Sequence, residues 1–370
     1  MSPTRIILVR HGRSTYNDQG RYQGSSNDAV LTEKGIATAQ QVGQYLRHVP
    51  IQAIYSSPLR RVTQTTDAIL RELSSGPKPI AIDNNLREID LSDWEGLSYQ
   101  TVKEQFSEGY RCWQERPHEF ALMRSQPQPQ TQTSAVAVAE APYYPVQALY
   151  QRARQFWQAL RLKHTGQTVL VVSHGGTNHA LLSTALGLAP AHHHRLQQSN
   201  CGISVVEFTG QRSQLRQLNA TTPLGETLPK LKAGKQGLRL LLVAEEPLTG
   251  AVNPRTLCQR LAAIVPNFCL ANRADLSRQL LQHCPKTLQL TTTQADFLPD
   301  WQRRLIRSNR HQGELMTGVA IAPTHSIQTL LIQTLGGQPK NAPQIHIEPG
   351  QLSVIHYPPN HRPVVQAINF

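Results

Sequence analysis

Two histidines of this 370-residue chain stand close to the ends of short apolar runs. His11 follows the run Ile6 to Val9, with Arg10 between them, and His174 follows the run Val169 to Val172, with Ser173 between them. A histidine can act as a nucleophile, and an arginine beside it offers a rigid fork of donors for an anion. These residue types at this spacing indicate an anion-binding site that contains a nucleophile.

The apolar runs also predict the elements that hold the two histidines. Continuous short stretches of Ile, Leu and Val are typical of strands buried on both faces of a parallel sheet. In open α/β sheets, ligands bind outside the carboxyl ends of the strands. We therefore expect an α/β fold in which both histidines lie at one edge of one sheet.

Three further segments lie between the histidines. The stretch Ser56 to Thr65 predicts a strand end followed by a helix, with Pro58 near the first helical turn. The segment Leu86 to Asp90 follows, and then Trp94 to Gly96.

In this order the segments resemble the signatures of the histidine phosphatase superfamily, in its phosphoglycerate-mutase-like branch 1. The resemblance covers about residues 4 to 210 and implies a three-layer α/β/α domain. The matching segments are Arg10-His11-Gly12, Ser57 to Thr65, Leu86-Arg87-Glu88 with Trp94-Glu95-Gly96, and Ser173-His174-Gly175-Gly176.

The resemblance implies a role for each matching residue. His11 would attack phosphorus and form a phosphohistidine, and Glu88 would be the general acid, kept protonated by burial. Arg10, Arg61 and His174 would form the phosphate pocket, since phosphoryl transfer depends on cationic donors around the equatorial oxygens. The register of the motif selects Arg61, and its neighbour Arg60 is expected to be solvated.

The resemblance also implies substrate contacts. They are Asn17, Gln23 and Gly24 on the loop after His11, and Gly175 directly after His174. Arg13 stands where most relatives carry Glu or Gln. It is therefore also a candidate, either favouring an acidic substrate or pointing to solvent.

A lid insertion is expected at about residues 111–145. Within it, Pro127 to Thr133 is uncharged and of low complexity, a composition that cannot bury much apolar surface. A loose lid would admit water to a phosphoenzyme, which favours hydrolysis over return of the phosphoryl group to the substrate.

The charge of the chain gives no specific signal for a polynucleotide. The formal net charge is +13 and is spread over both halves of the chain, while the one tight cluster, Arg303 to Arg310, fits a solvated helix face. We predict a phosphorylated metabolite as partner and no nucleic acid. Without a run of roughly 18 to 20 apolar residues or a signal peptide before Ile6, we also expect no membrane contact and a cytoplasmic protein.

Cysteine and histidine spacing argues against a metal or a disulfide framework. The five cysteines are odd in number and lack C-x-x-C spacing, so we predict reduced thiols. His192 to His194 are consecutive and should point in different directions, which favours a solvated run over a metal site. We expect neither a metal nor a cofactor.

The second half of the chain repeats the pattern of the first. Arg239 to Glu246 parallels Arg5 to Gly12, and Thr317 to His325 parallels Thr168 to Gly176. Glu245 and Pro323 then occupy the positions of His11 and His174. We predict a catalytic domain at 1–222, a linker at 223–237 and a degenerate, inactive copy at 238–370, which could brace the first domain, form a homodimer contact or bind a regulator.

The sequence thus predicts a metal-independent phosphomonoesterase. The opening of the chain and its tandem arrangement are similar to plant and cyanobacterial proteins that act on phosphoserine or 2-carboxyarabinitol 1-phosphate, both of which pair a phosphate ester with a carboxylate. The alternatives are a cofactor-dependent phosphoglycerate mutase, a phosphoprotein phosphatase and a non-enzymatic phosphate-binding module.

Overall fold

A computed structural model describes residues 2–74, 79–125, 140–246, 254–292 and 314–370. The described residues form a mixed α/β structure, as predicted. The strands are β1 (Thr4–Arg10), β2 (Ala53–Ser56), β3 (Ile80–Ile82), β4 (Leu122–Ser125), β5 (Glu140–Tyr143), β6 (Thr168–Ser173), β7 (Ile203–Thr209), β8 (Arg212–Ala220), β9 (Gly237–Ala244), β10 (Phe268–Ala271), β11 (Leu288–Thr291), β12 (Leu315–Ala322), β13 (Ser353–Tyr357) and β14 (Val364–Ala367).

Helices connect most of these strands. They are α1 (Thr15–Asp18), α2 (Glu33–Leu46), α3 (Arg60–Leu70), α4 (Tyr99–Gln105), α5 (Ser107–Glu115), α6 (Pro145–Lys163), α7 (Gly175–Ala185), α8 (Pro254–Ile264), α9 (Ala274–Leu280) and α10 (Thr324–Thr334). Short 3-10 helices span Asn84–Leu86, Ser92–Trp94, Pro190–Arg195, Thr222–Leu224 and Pro339–Gln344.

The two large sheets have the same topology. The first has the strand order β3-β2-β6-β1-β7-β8 and the second β11-β10-β12-β9-β13-β14. In each, four strands are parallel and the last two are antiparallel. β9 therefore corresponds to β1 and β12 to β6, which confirms that the second half repeats the fold of the first.

Each sheet is covered on both faces. Along β1, Ile6 and Leu8 pack into one hydrophobic cluster, whereas Ile7 and Val9 pack into another, because successive side chains of a strand point to opposite faces. Helices α6 and α7 contribute to the first cluster, and α2 and α3 contribute to the second. This is the predicted three-layer arrangement.

The two sheets contact each other through their antiparallel edges. Leu218 in β8 and Ile368 after β14 exchange backbone hydrogen bonds of 3.0 and 3.1 Å. One hydrophobic cluster includes Leu8 of the first sheet and Leu242 of the second. The two halves therefore share a core instead of being joined by the chain alone.

Several sequence predictions concern parts of the chain other than the sheets. All five cysteines are free thiols, as predicted, and four of them are buried. Within the described ranges, no helix is long and apolar enough to cross a membrane. Pro127 to Thr133 of the expected lid and the basic cluster Arg303 to Arg310 lie outside the described residues.

Candidate active site

The two motif histidines end neighbouring strands. β1 and β6 pair in parallel with Arg10 opposite Ser173, and the amide of His11 donates to the carbonyl of Ser173 at 2.9 Å. The rings of His11 and His174 lie 5.4 Å apart in an edge-to-face arrangement. Their exposed fractions are 1% and 0%. Strand register thus brings both histidines to one edge of the sheet.

His11 is held as a neutral imidazole. Its Nδ1 lies 2.7 Å from the carbonyl oxygen of Gly12, and because a carbonyl can only accept, Nδ1 must carry the proton. Burial and the charges of Arg10 and Arg61 hold the pKa of His11 well below its usual range. The deprotonated Nε2 therefore keeps its lone pair at neutral pH and can act as a nucleophile.

Arg61 is a fully buried cation at the start of α3. Its Nη1 donates to the carbonyl of Ser26 and its Nη2 to the carbonyl of Gly24, both at 2.8 Å. Burial lowers the pKa of Arg61 to about 10, so the side chain remains charged at neutral pH. The preceding residue, Arg60, is exposed, because its position on the helix faces solvent.

Arg10 lies beside the first residue of α7. Its Nη1 donates to the carbonyl of Gln198 at 2.8 Å. A Cβ atom at Gly175 would lie 3.3 Å from Nε of Arg10, so glycine permits the close packing of this helix against the guanidinium.

Three buried nitrogens around His11 have no hydrogen-bond partner among the described residues. They are Nε of Arg10, Nε of Arg61 and Nδ1 of His174. Burial and Arg61 hold the pKa of His174 well below its usual range, and the hydroxyl of Ser57 lies 2.8 Å from its Nε2. If that hydroxyl donates, Nδ1 carries the ring proton. Three donors are then available to the oxygens of a phosphoryl group.

Glu88 lies at the N-terminus of α7. The amides of Gly176 and Thr177 donate to its carboxylate at 3.1 and 3.0 Å, and its own neighbour Ile89 donates at 2.9 Å. A Cβ atom at Gly176 would lie 2.7 Å from Oε1 of Glu88, so glycine at this position leaves the carboxyl where it is. Glu88 is half-buried, which is less than the resemblance implies.

A cavity of ≈ 380 Å³ lies next to these groups. Arg10 and Glu88 line it, whereas His11, Arg61 and His174 are buried beside it. Of the predicted substrate-binding residues, the cavity wall includes Asn17, Gln23, Gly24 and Gly175.

Arg13 does not line the cavity. Its side chain is exposed, and its guanidinium forms an ion pair with Asp18 in the last position of α1. Of the two interpretations of Arg13, the structure supports the one in which the side chain points to solvent. An exposed ion pair of this kind contributes little to stability.

The prediction that His192 to His194 form a solvated run is wrong. The 3-10 helix that carries them packs against α6 and α7, and the exposed fraction of His193 is 1%. The ring of His193 lies 5.3 Å from that of His179 and 5.1 Å from that of His194, and all three line the cavity. Burial holds the pKa values of His193 and His179 well below their usual range and lowers that of His194 to about 4.

These histidines do not form a metal centre. Across the described part of the chain, no group of three or more His, Cys, Asp or Glu side chains is arranged to hold a metal ion.

Sequence analysis missed several residues that position the site. Asn200 donates from Nδ2 to the carbonyls of His11 and Gly12, at 3.1 and 3.2 Å, and to Oδ1 of Asn17 at 3.0 Å. Lys232, in the stretch between the two sheets, reaches the carbonyl of Gln198 and lines the cavity. No local motif marks either residue, because each is brought to the site from a distant part of the chain.

In the second sheet, Glu245 and Pro323 stand at the positions of His11 and His174. The amide of Glu245 donates to the carbonyl of Ala322 at 3.0 Å, which matches the bond between His11 and Ser173. Pro323 precedes α10 as His174 precedes α7. The sequence alignment of the two copies is therefore correct at these two positions.

Comparison with known proteins agrees with this geometry. The sequence profile of the histidine phosphatase superfamily (branch 1) matches residues 6–221. The chain belongs to this superfamily. The matched region contains all the residues described around His11 except Lys232.

Three relatives show how the similarity is distributed. A probable 2-carboxy-D-arabinitol-1-phosphatase of Arabidopsis thaliana is 39% identical over 204 residues, which covers 55% of this chain and 38% of that protein. The 2-carboxy-D-arabinitol-1-phosphatase of Triticum aestivum is 36% identical over 248 residues, or 65% and 46% of the two chains. Phosphoserine phosphatase 1 of Hydrogenobacter thermophilus is 30% identical over 222 residues, or 60% and 95%. The match thus spans less than half the length of the two plant proteins.

Proposed function

We propose that this chain hydrolyses a small phosphate monoester that also carries a carboxylate, through a phosphohistidine on His11. The observation that carries the proposal is the neutral His11, with Nε2 deprotonated, beside three buried nitrogens that lack a partner among the described residues. This arrangement supplies a nucleophile and the donors that a phosphoryl group requires.

The first half-reaction transfers the phosphoryl group. Nε2 of His11 forms a bond to phosphorus while the bond from phosphorus to the ester oxygen breaks. Arg10 and Arg61 stabilise the charge on the equatorial oxygens. Their guanidinium groups supply the positive charge that this step needs. Glu88 gives its proton to the leaving alkoxide, which departs as an alcohol.

The second half-reaction restores the enzyme. Glu88, now a carboxylate, takes a proton from a water molecule, whose oxygen attacks phosphorus as the bond to Nε2 breaks. Inorganic phosphate leaves, and Glu88 is again protonated. The donors at the N-terminus of α7 hold the carboxylate in place for this step.

The charge of the cavity supports a doubly anionic substrate. Arg10, Arg21 and Lys232 line it, and among its described lining residues Glu88 is the one carboxylate. Phosphoserine and 2-carboxyarabinitol 1-phosphate, after which the similar proteins are named, both combine a phosphate ester with a carboxylate.

The domain assignment is a further part of the proposal. Residues 1–222 would form the catalytic domain, 223–237 the linker and 238–370 an inactive copy. Glu245 and Glu246 at the end of β9 would repel a phosphoryl group, and Pro323 offers no side-chain donor. Association into a homodimer remains a prediction.

Labelled substrates test the proposed reaction. The purified chain, with chelator present, is exposed to a panel of ³²P-labelled esters that includes phosphoserine, 2-carboxyarabinitol 1-phosphate and a phosphopeptide. We expect phosphate release and a transient protein label that is labile in acid and stable in base. His11→Ala should abolish both, whereas His361→Ala, a change at an exposed histidine, should retain them.

Two results would count against this function. Full turnover by His11→Ala would exclude the phosphohistidine. Isomerisation of a phosphoglycerate that depends on added 2,3-bisphosphoglycerate would favour the mutase instead.

A further inference from the structure

The cavity has a basic corner that includes a residue outside the superfamily motifs. The backbone carbonyl of Gln198 accepts hydrogen bonds both from Nη1 of Arg10 and from Nζ of Lys232. The two basic side chains therefore lie within the span of two hydrogen bonds of each other, and burial of its amine and the charge of Arg10 hold the pKa of Lys232 well below its usual range. Lys232 belongs to the stretch between β8 and β9, outside the matched residues 6–221.

The second sheet fixes the chain on both sides of Lys232. On one side, the guanidinium of Arg239 donates to the carbonyl of Pro229. On the other side, Nε2 of His356 donates to the carbonyl of Gln236 at 2.8 Å. Arg239 lies in β9 and His356 in β13, so the segment that carries Lys232 is attached to the second sheet at both ends.

A buried glutamine pair attaches the same segment to the first sheet's half of the chain. Gln197 donates from Nε2 to the carbonyl of Lys230 at 2.9 Å and accepts from Nε2 of Gln366 at 3.1 Å. Gln366 in turn accepts from Nε of Arg239 at 2.9 Å. The exposed fractions of Gln197 and Gln366 are 4% and 0%, so this network is rigid and costly to break.

We propose that Lys232 binds the substrate's carboxylate while Arg10 and His11 engage its phosphoryl group, so that the segment held by the inactive copy determines which phosphate esters are accepted. The inference rests on the proposed function and deepens it. In phosphoserine, two carbons separate the ester oxygen from the carboxylate. The phosphoryl group and the carboxylate are therefore close enough together to contact Arg10 and Lys232, whose side chains share one carbonyl. A carboxylate beside Lys232 favours the protonated form of its amine, and the resulting ammonium group donates a charge-assisted hydrogen bond to that carboxylate.

Paired substrates test the assignment. O-Phosphoserine and O-phosphoethanolamine differ only in the carboxylate, so the ratio of their kcat/KM values measures carboxylate recognition. We expect Lys232→Met to lower this ratio at least about tenfold, chiefly through the KM of phosphoserine, and Lys232→Arg to restore part of it. The matched control Lys235→Met, at an exposed linker position that does not line the cavity, should leave the ratio unchanged.

A positioning role for the network predicts coupling. Gln366→Leu should lower the same ratio by displacing the segment, and Gln366→Leu combined with Lys232→Met should lower it no further than Lys232→Met alone. Independent, additive losses would overturn the positioning role. An unchanged ratio in Lys232→Met, or a wild-type chain with no preference for phosphoserine, would overturn the proposed subsite.

Binding separates this inference from the proposed reaction. Calorimetry measures the affinity for the two esters without turnover in His11→Ala, and again in a chain that combines His11→Ala with Lys232→Met. If His11→Ala prefers phosphoserine in a way that depends on Lys232, and the unmutated chain hydrolyses neither ester, the subsite is supported and the phosphatase function is rejected. Hydrolysis of both esters without that preference would support the phosphatase function and reject the subsite.

Discussion

At the scale of single residues, the site separates two tasks between two groups. His11 is kept neutral by burial and by neighbouring cations, and its contact with the carbonyl of Gly12 directs the proton to Nδ1. Glu88 lies instead among backbone donors at a helix N-terminus, which hold its carboxyl group in place. In the proposed reaction, His11 supplies the nucleophile and Glu88 carries out the proton transfers.

The role of Glu88 can be separated from substrate binding by the choice of leaving group. Glu88→Gln should slow the hydrolysis of alkyl phosphates by about 10²-fold or more, because the alkoxide needs a proton in order to leave. With p-nitrophenyl phosphate, the first half-reaction should slow much less, since its leaving group needs no proton. Rapid-mixing measurement of both steps checks the prediction. Equal losses with the two substrates would assign Glu88 a structural role.

At the scale of elements, the start of α7 is the point where the site is assembled. The strand β6 delivers His174, and the two glycines that follow let the helix approach Arg10 and Glu88 closely. Helix N-termini carry partial positive charge and unpaired amides, which here hold a carboxylate. The two glycines therefore set the position of the helix, and the helix in turn sets the position of the Glu88 carboxyl.

Gly176→Ala tests that coupling. The added Cβ would lie 2.7 Å from Oε1 of Glu88, and the displaced carboxyl should lower kcat for alkyl phosphates by about 10²-fold while the fold is retained. The control is Gly109→Ala in α5, where the nearest atoms are ring carbons of Phe120 and Trp94 at 3.6 and 3.8 Å. The measurements are kcat for both variants and their melting temperatures. A Gly176→Ala enzyme with normal kcat would show that the position of Glu88 is not critical.

At the scale of the whole molecule, two copies of one topology share a hydrophobic cluster and have diverged in chemistry. The first copy carries the histidines, and the second retains the strand ends but places Glu245 and Pro323 there. The second copy also holds the linker that supplies Lys232 to the cavity. The described contacts of the second copy with the first are therefore structural, and its proposed lack of catalysis fits them.

Removal of the second copy should affect assembly before chemistry. Deleting residues 226–370 exposes the apolar surface of the first copy, including β8, that they cover, so we expect aggregation or reduced solubility, while material that stays folded should still form phosphohistidine. Glu245→Ala in the full chain should leave kcat within about twofold, because this residue does not line the cavity. Solubility, labelling and kcat are the measurements. Loss of turnover in a folded Glu245→Ala chain would mean that the second copy contributes to the chemistry.

Stability should fall in mild acid because several histidines are buried in neutral form. His11, His174 and His193 have pKa values held well below the usual 6.5, so below about pH 6.5 the unfolded chain binds protons that the native chain does not. Each should reduce the free energy of unfolding by about 1.4 kcal/mol per pH unit as the pH falls below that point. Urea unfolding at a series of pH values measures the slope.

A pair of variants isolates one of these histidines. His193→Gln should make the dependence on pH shallower by about one proton, whereas His361→Gln, at an exposed position, should leave it unchanged. Identical slopes in both variants would show that His193 is already charged in the native protein.

The sequence by itself determined the two central strands of the first sheet, the motif residues at their ends and the repeat of this pattern in the second half, because each of these depends on local patterns. Apolar runs predict β1 and β6, and the residues at their ends include Arg10, His11 and His174. The same reasoning identified the repeat, since Glu245 and Pro323 stand at a fixed offset from strands of similar composition.

Tertiary structure alone decided the environment of these residues. His193 is buried because its 3-10 helix packs against α6 and α7, and Arg13 turns away from the cavity to pair with Asp18. Lys232 reaches the site only because Arg239 and His356 of the second sheet hold the linker at both ends. Burial and contacts between distant segments arise from packing of the whole chain, and no pattern within a short stretch of sequence encodes them.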